Sequence, residues 1–147
     1  MIIEKSYHAL IPNHIFMGGA ADVESMVKNE GIDVVVDLRG EATESAYPSD
    51  RVQWVQIPLA DRSSQPQEEA FRQAIQAVTE AYRQNKKVAF HCGGGKGRTG
   101  TVAAGTLLGL GLCQTVDEAE AKAKEIRNVI ELKPAQKESL LRLYPNQ

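Results

Sequence analysis

Cysteine is scarce in this chain: only Cys92 and Cys113 occur among 147 residues. That is too few for the disulfide framework of a small secreted scaffold. Histidine is scarce too. His8, His14 and His91 form no ligand cluster, so no metal or other cofactor is implied. An excess of one charge is also lacking. Seventeen Lys and Arg oppose nineteen Asp and Glu, giving a formal net charge of −2. This excludes the overall basic balance of a general nucleic-acid binder, though not a local basic pocket. No apolar run reaches membrane-spanning length, and the most apolar stretch, Thr101 to Cys113, suits a buried core helix. Met1 to Leu10 carries Glu4, Lys5 and His8 and no apolar run of signal-peptide length. No repeat, low-complexity tract or linker interrupts the chain. The expectation is one domain over 1–147, in the cytoplasm, where a reactive thiol stays reduced.

What is present is an alternation of strand and helix signals. Met1 to Gly19 reads as short strands or turns punctuated by Pro12 and Asn13. Ala21 to Glu30 reads as a helix stopped by Gly31. Ile32 to Leu38 holds the β-branched run Val34-Val35-Val36 of a buried parallel strand, followed by a polar loop from Arg39 to Asp50. Val52 to Ile57 is a second such strand, with Trp54 read as a packing residue. After a loop from Leu59 to Gln65, Pro66 is placed at the opening of a long helix to about Asn85. Phe71, Ile75, Val78 and Tyr82 share its inward face. Lys87 to His91 is a strand, Cys92 to Gly97 a glycine-rich turn, and Arg98 to Leu110 an apolar helix ended by Gly111. Thr115 and Glu118 form a capping box for a helix to about Asn128, and Pro134 opens a last helix to about Tyr144. The fold class is therefore α/β: a mainly parallel central sheet flanked by helices on both faces, with ligands expected beyond the carboxyl ends of its strands.

The chemistry lies in His91-Cys92-Gly93-Gly94-Gly95-Lys96-Gly97-Arg98-Thr99-Gly100. A strand runs into a glycine-rich turn, and the turn into a helix. Glycines let successive N–H groups converge into an anion nest, and the helix adds its free N–H groups and its positive end. Gly93, Gly94, Gly95, Lys96, Gly97 and Arg98 are thus the candidate phosphate cradle, with Arg98 offering a planar fork for two oxygens. Cys92 sits at its mouth, in the kind of positive field that makes a thiolate nucleophile. A nucleotide-binding loop would need Gly-x-x-x-x-Gly-Lys-Ser/Thr; here Lys96 precedes the glycine and Arg98 follows it, so that match fails. A plain glycine turn with a structural cysteine would not call for an arginine six positions on and a hydroxyl after it.

His91-Cys92-x-x-Gly95-x-x-Arg98-Thr99-Gly100 resembles the signature of the protein-tyrosine and dual-specificity phosphatases. Average residue usage would produce it by chance in about one chain in a million of this length. The order of elements over most of the chain agrees, with looser likeness at Val34 to Glu41 and Ile57 to Asp61. The short length points to the dual-specificity-like branch. The resemblance implies Cys92 as nucleophile, Arg98 as the phosphate-binding residue that steadies the transition state, and Thr99 as the hydroxyl that eases thiolate departure. It further implies His91 as a residue that helps set the loop. Family members carry an acidic residue on a loop about thirty residues before the cysteine. Asp61, 31 positions upstream, is the candidate general acid; Asp50 is farther off, and Asp37 ends a strand and orders a neighbouring loop. Arg62 and Ser63 depart from the Trp-Pro-Asp loop of the larger enzymes. Lys96 resembles the lysine of members that cleave phosphoinositides, but the second lysine those carry is Gly93 here. Gln136 lies where some members carry a C-terminal glutamine and is read as a surface helix residue.

The expected partner is a phosphorylated protein or small phosphomonoester, with no nucleic acid and no membrane segment. Phosphotyrosine is the favoured substrate, with phosphoserine and phosphothreonine also considered. Alternatives are a phosphoinositide, an inositol phosphate or an RNA 5′-phosphate. Arsenate reduction and sulfur transfer also use a cysteine in an oxyanion loop, but neither needs Asp61. A binding module without catalysis is the reading of a different class, and the set Cys92, Arg98 and Asp61 argues against it.

Overall fold

The structure is a computed structural model in which residues 6–60 and 67–145 are described. Two short strands come first, β1 (His8–Ile11) and β2 (Ile15–Gly19), joined by a tight turn in which Asn13 takes a positive φ of 69°. A 3-10 turn (Ala20–Asp22) leads into α1 (Val23–Glu30), which Gly31 ends in the left-handed conformation. The remaining order is β3 (Val34–Arg39), β4 (Gln53–Leu59), α2 (Glu68–Arg83), β5 (Val88–Cys92), α3 (Gly97–Gly109), α4 (Val116–Ile126) and α5 (Pro134–Leu143).

The five strands form one sheet in the order β1-β2-β5-β3-β4. β2, β5, β3 and β4 are parallel; β1 is antiparallel to β2 and closes one edge, so the sheet is mainly parallel, as expected. β5 is central and buried at every position, which is why it reads as an unbroken apolar run up to His91. Its register sets Gly18 and Asp37 on either side of His91, and Gly19 beside Cys92.

Helices cover both faces unequally. One core joins β-strand residues such as Val36 and Phe90 to Phe71, Val78, Val102, Leu107 and Leu140 of α2, α3 and α5. The other packs Val23 and Met26 of α1 against Phe16, Val35 and Ala89, with Tyr47, Val52 and Trp54 at its margin. The inward face of α2 follows the spacing of its apolar residues, with Phe71, Ile75 and Val78 buried. Each such side chain stabilises the fold by about 1.5–3 kcal/mol. The helix begins at Glu68, and Pro66 lies outside the described residues. Thr115 caps α4 by accepting from Glu118 N (3.0 Å), while the Glu118 carboxylate accepts from Gln114 N rather than Thr115 N. No helix among the described residues is long and apolar enough to cross a membrane.

α3 is buried along almost its whole length, and α2 crosses it closely at Gly105. A Cβ there would overlap the Ile75 side chain and come within 3.2 Å of Leu140 Cδ2. Gly105→Val should therefore destabilise the fold by about 1–3 kcal/mol through overpacking, read as a lower urea midpoint with an unchanged slope.

Candidate active site

The turn after β5 brings the signature residues together around one sulfur atom. Cys92 ends the strand with only 2% of its surface exposed. Its Sγ accepts a hydrogen bond from Gly95 N (3.2 Å) and from Thr99 Oγ1 (3.0 Å). Thr99 is wholly buried, and its hydroxyl also lies 3.3 Å from Gly18 O. Gly95 has φ +73°, a conformation that L side chains rarely adopt. A Cβ on it would lie 2.5 Å from Arg127 Nη2 and 2.8 Å from the Gly18 carbonyl carbon, so space as well as backbone demands glycine. Gly93 and Gly94 are exposed at the rim, and Gly97 starts α3. Lys96 precedes the helix with its side chain exposed, while its carbonyl accepts from Gly100 N and Glu131 N.

Arg98 is 3% exposed. Its Nη1 donates to Leu59 O (2.9 Å) and Leu38 O (3.4 Å). Nη1 and Nη2 together clasp the carboxylate of Glu41 at 2.8 and 3.0 Å. This two-point pairing fixes the plane of the guanidinium. The Arg98 hydrogen bond is the main reason that Glu41 is lowered to about 2, from an ordinary 4.5. In the sequence Glu41 marks only the end of a loosely similar stretch. Nothing local marks it, since its partner is 57 positions away.

His91 is fully buried beside the turn. Its Nδ1 lies 3.0 Å from Cys92 O, and Nε2 lies 3.7 Å from Asp37 Oδ1, beyond hydrogen-bond range. Burial pushes the imidazole below its ordinary value, against the Cys92 carbonyl and the Asp37 carboxylate, so the ring is assigned neutral with Nδ1–H donating. Asp37 is buried as well. It accepts from Arg39 N, Nε and Nη2 and from Trp54 Nε1 (3.0 Å). Burial opposes its ionisation, but the hydrogen bonds from Arg39 and Trp54 outweigh it and hold the carboxyl below the usual range. Trp54 is thus more than a packing residue: it braces the carboxylate that orders the end of β3.

Asp61, the candidate acid, lies outside the described residues, as do Arg62 and Ser63; Ala60, next to it, is tied to the Gln67 side chain at both N (3.1 Å) and O (3.0 Å). Gln136 is not a surface residue. It is 5% exposed, and a Cβ on Gly97 would lie 2.9 Å from its Oε1, so it packs against the start of α3. The reading failed because α5 turns this position inward, which its own polar neighbours do not reveal. Cys92 and Cys113 are both free, buried thiols.

Residues 15–146 match the dual specificity phosphatase, catalytic domain family. The chain belongs to this family. No curated protein sequence matches it. Among solved structures it is similar to a mouse putative dual specificity phosphatase complexed with zinc tungstate. That likeness has 18% identity and a TM-score of 0.83, over 99% of this chain and 90% of the other. Human DUSP28 is similar at 17% identity and a TM-score of 0.82, over 97% and 95%. PTPMT1 in complex with PI(5)P is similar at 19% and 0.79, over 95% of each chain. At these identities the likeness concerns the fold.

The Glu41–Arg98 pair carries a pH signature. Glu41 has a depressed value in the folded state, so its contribution to stability is complete above about 4.5 and is lost as pH falls towards about 2. Its side chain is 61% exposed, so solvent screens the effect and keeps it small. Glu41→Gln should lower Tm at neutral pH, and the gap to wild type should close between pH 4.5 and 2. A gap that stays constant across that range would show that the carboxylate charge contributes nothing.

Proposed function

We propose that the chain hydrolyses phosphomonoesters through a phosphocysteine on Cys92, with protein phosphotyrosine as the preferred substrate. The observation that carries this reading is the paired contact on Cys92 Sγ, from the Gly95 amide and the Thr99 hydroxyl, beside a guanidinium held flat by Glu41. The Cys92 thiolate attacks phosphorus in line as the ester P–O bond breaks. Asp61 gives its proton to the leaving oxygen. Water then attacks the phosphocysteine with Asp61 as base, and the sulfur leaves as thiolate, stabilised by the Thr99 hydroxyl. Phosphoryl transfer depends chiefly on positioning and charge, which the turn amides and Arg98 supply. Asp61 is supported by its position in the chain: Leu59, two residues before it, receives the Arg98 guanidinium at its carbonyl.

Phosphotyrosine is preferred because phenoxide is a better leaving group than alkoxide and the longer ester reaches a buried sulfur more easily. The second reading, a phosphoinositide or inositol phosphate, is favoured by the exposed Lys96 on the turn and by the fold shared with PTPMT1, which was solved with PI(5)P.

An aryl phosphate assay at mildly acidic pH tests the activity itself. Wild type should turn over, and Cys92→Ser should not while still binding phosphate esters. Turnover near wild type in Cys92→Ser would remove the covalent mechanism. Asp61→Asn should slow substrates with poor leaving groups most and flatten the basic limb of the pH–rate profile. An equal loss on every substrate, with both limbs intact, would make Asp61 structural. Matched phosphopeptides against inositol polyphosphates decide the substrate: a much higher kcat/KM on the polyphosphates would replace the protein-phosphatase reading.

A further inference from the structure

Arg127 follows the end of α4, well outside the glycine-rich signature. Its side chain is nevertheless 5% exposed, and among the described residues its hydrogen-bond partners are all neutral. Nε donates to Gly95 O (2.8 Å); Nη1 donates to Ser6 O (2.5 Å) and lies 3.1 Å from His8 Nδ1. A buried guanidinium without a bonded carboxylate is costly, so it needs some other compensation. The Asp22 carboxylate is engaged by Gly19 N (2.7 Å) and the Ser6 hydroxyl. Burial depresses Arg127 from the ordinary arginine value, and two groups oppose it: Asp22 and the Cys92 sulfur.

The bond from Arg127 falls on the one residue that must not move. Gly95 directs its N–H at Cys92 Sγ and its carbonyl at Arg127, with φ at +73°. Glycine can leave that conformation at little steric cost, so the direction of its N–H depends on whatever holds its carbonyl. Arg98 meets the turn from the β3–β4 side, through Glu41 and Leu59. Arg127 meets it from the β1–β2 side, through Ser6 and His8.

We propose that Arg127 is a positioning residue for the reaction: it pins the Gly95 carbonyl so that the Gly95 N–H stays on the Cys92 sulfur, and it sets a buried positive charge on the side of the turn opposite Arg98. It touches neither the substrate nor the reacting atoms. The proposal rests on Cys92 being the nucleophile, and its test reads the sulfur directly, so the two can fail separately.

The test compares wild type, Arg127→Gln and Arg127→Lys. Alkylation of Cys92 by iodoacetamide is followed against pH by mass spectrometry of the Cys92 peptide, alongside thermal melts and aryl phosphate kinetics. Arg127→Lys keeps the charge and most of the stem but cannot reproduce the fork that spans Gly95 O and Ser6 O. It should stay folded, lose about tenfold in kcat with a much smaller change in KM, and move the alkylation midpoint up by about one pH unit. Arg127→Gln, where it folds, should show a larger shift. A folded Arg127→Lys with the wild-type alkylation profile would overturn the proposal, whatever its kcat. So would an Arg127→Lys that fails to fold, because Arg127 would then be a core residue. If wild type hydrolyses no aryl phosphate, the phosphatase reading falls and the alkylation profiles alone decide the role of Arg127.

Discussion

A backbone turn that aims the Gly95 N–H at a single sulfur atom is the constraint to which the surrounding structure answers. Between Cys92, the end of a fully buried strand, and Gly97, the start of α3, the chain has four residues in which to reverse. Such a turn is unstable alone, because its inward N–H groups have given up water and repel one another. Rigid neighbours hold it. β5 enters it from the centre of the sheet, and α3 leaves it through the middle of the larger core. The end of β2 lies beneath it: Ala20 N donates to Gly93 O at 2.9 Å, and a Cβ on Gly19 would be 2.8 Å from that same oxygen.

Among the described residues three arginines approach this end of the sheet, and each is held by a different device. Arg39 is bound by Asp37, which Trp54 also braces. Arg98 is clasped by Glu41. Arg127, among the described residues, is bonded to carbonyls and His8. The first two pairs neutralise positive charge that would otherwise repel across the site, and they fix guanidinium planes without occupying the sulfur. Their acids come from a single short segment, Asp37 to Glu41, which runs off the strand beside β5. The geometry of that one segment thereby orders both the His91 side of the turn and the Arg98 side.

Much of the fold was legible because its elements announce themselves locally. β3 and β5 are apolar runs of strand length, α2 carries its apolar residues at helical spacing, and Gly31 and Gly111 take the left-handed conformation that ends α1 and follows α3. The antiparallel edge strand was less legible. Pairing direction depends on which neighbour a strand meets, and the short segment around His8 carries no signal of that. The core of the site was legible for a stronger reason: Cys92, Arg98 and Thr99 lie within one turn, where sequence spacing is nearly spatial distance.

The sequence by itself therefore determined the α/β alternation, the glycine-rich turn, and the gathering of Cys92, Arg98 and Thr99 around it, because each is a property of adjacent residues. Only the tertiary structure decided which distant groups complete them. Glu41 reaches Arg98 across 57 positions, Arg127 reaches Gly95 across 32, and Gln136 turns inward onto Gly97. Such pairings have no local signature. A glutamate after a strand, an arginine after a helix and a glutamine in a short helix each read as ordinary surface residues in the sequence. What makes them part of the site is direction, joined by burial for Arg127 and Gln136, and those exist only once β2, β3, α4 and α5 have closed around the end of β5.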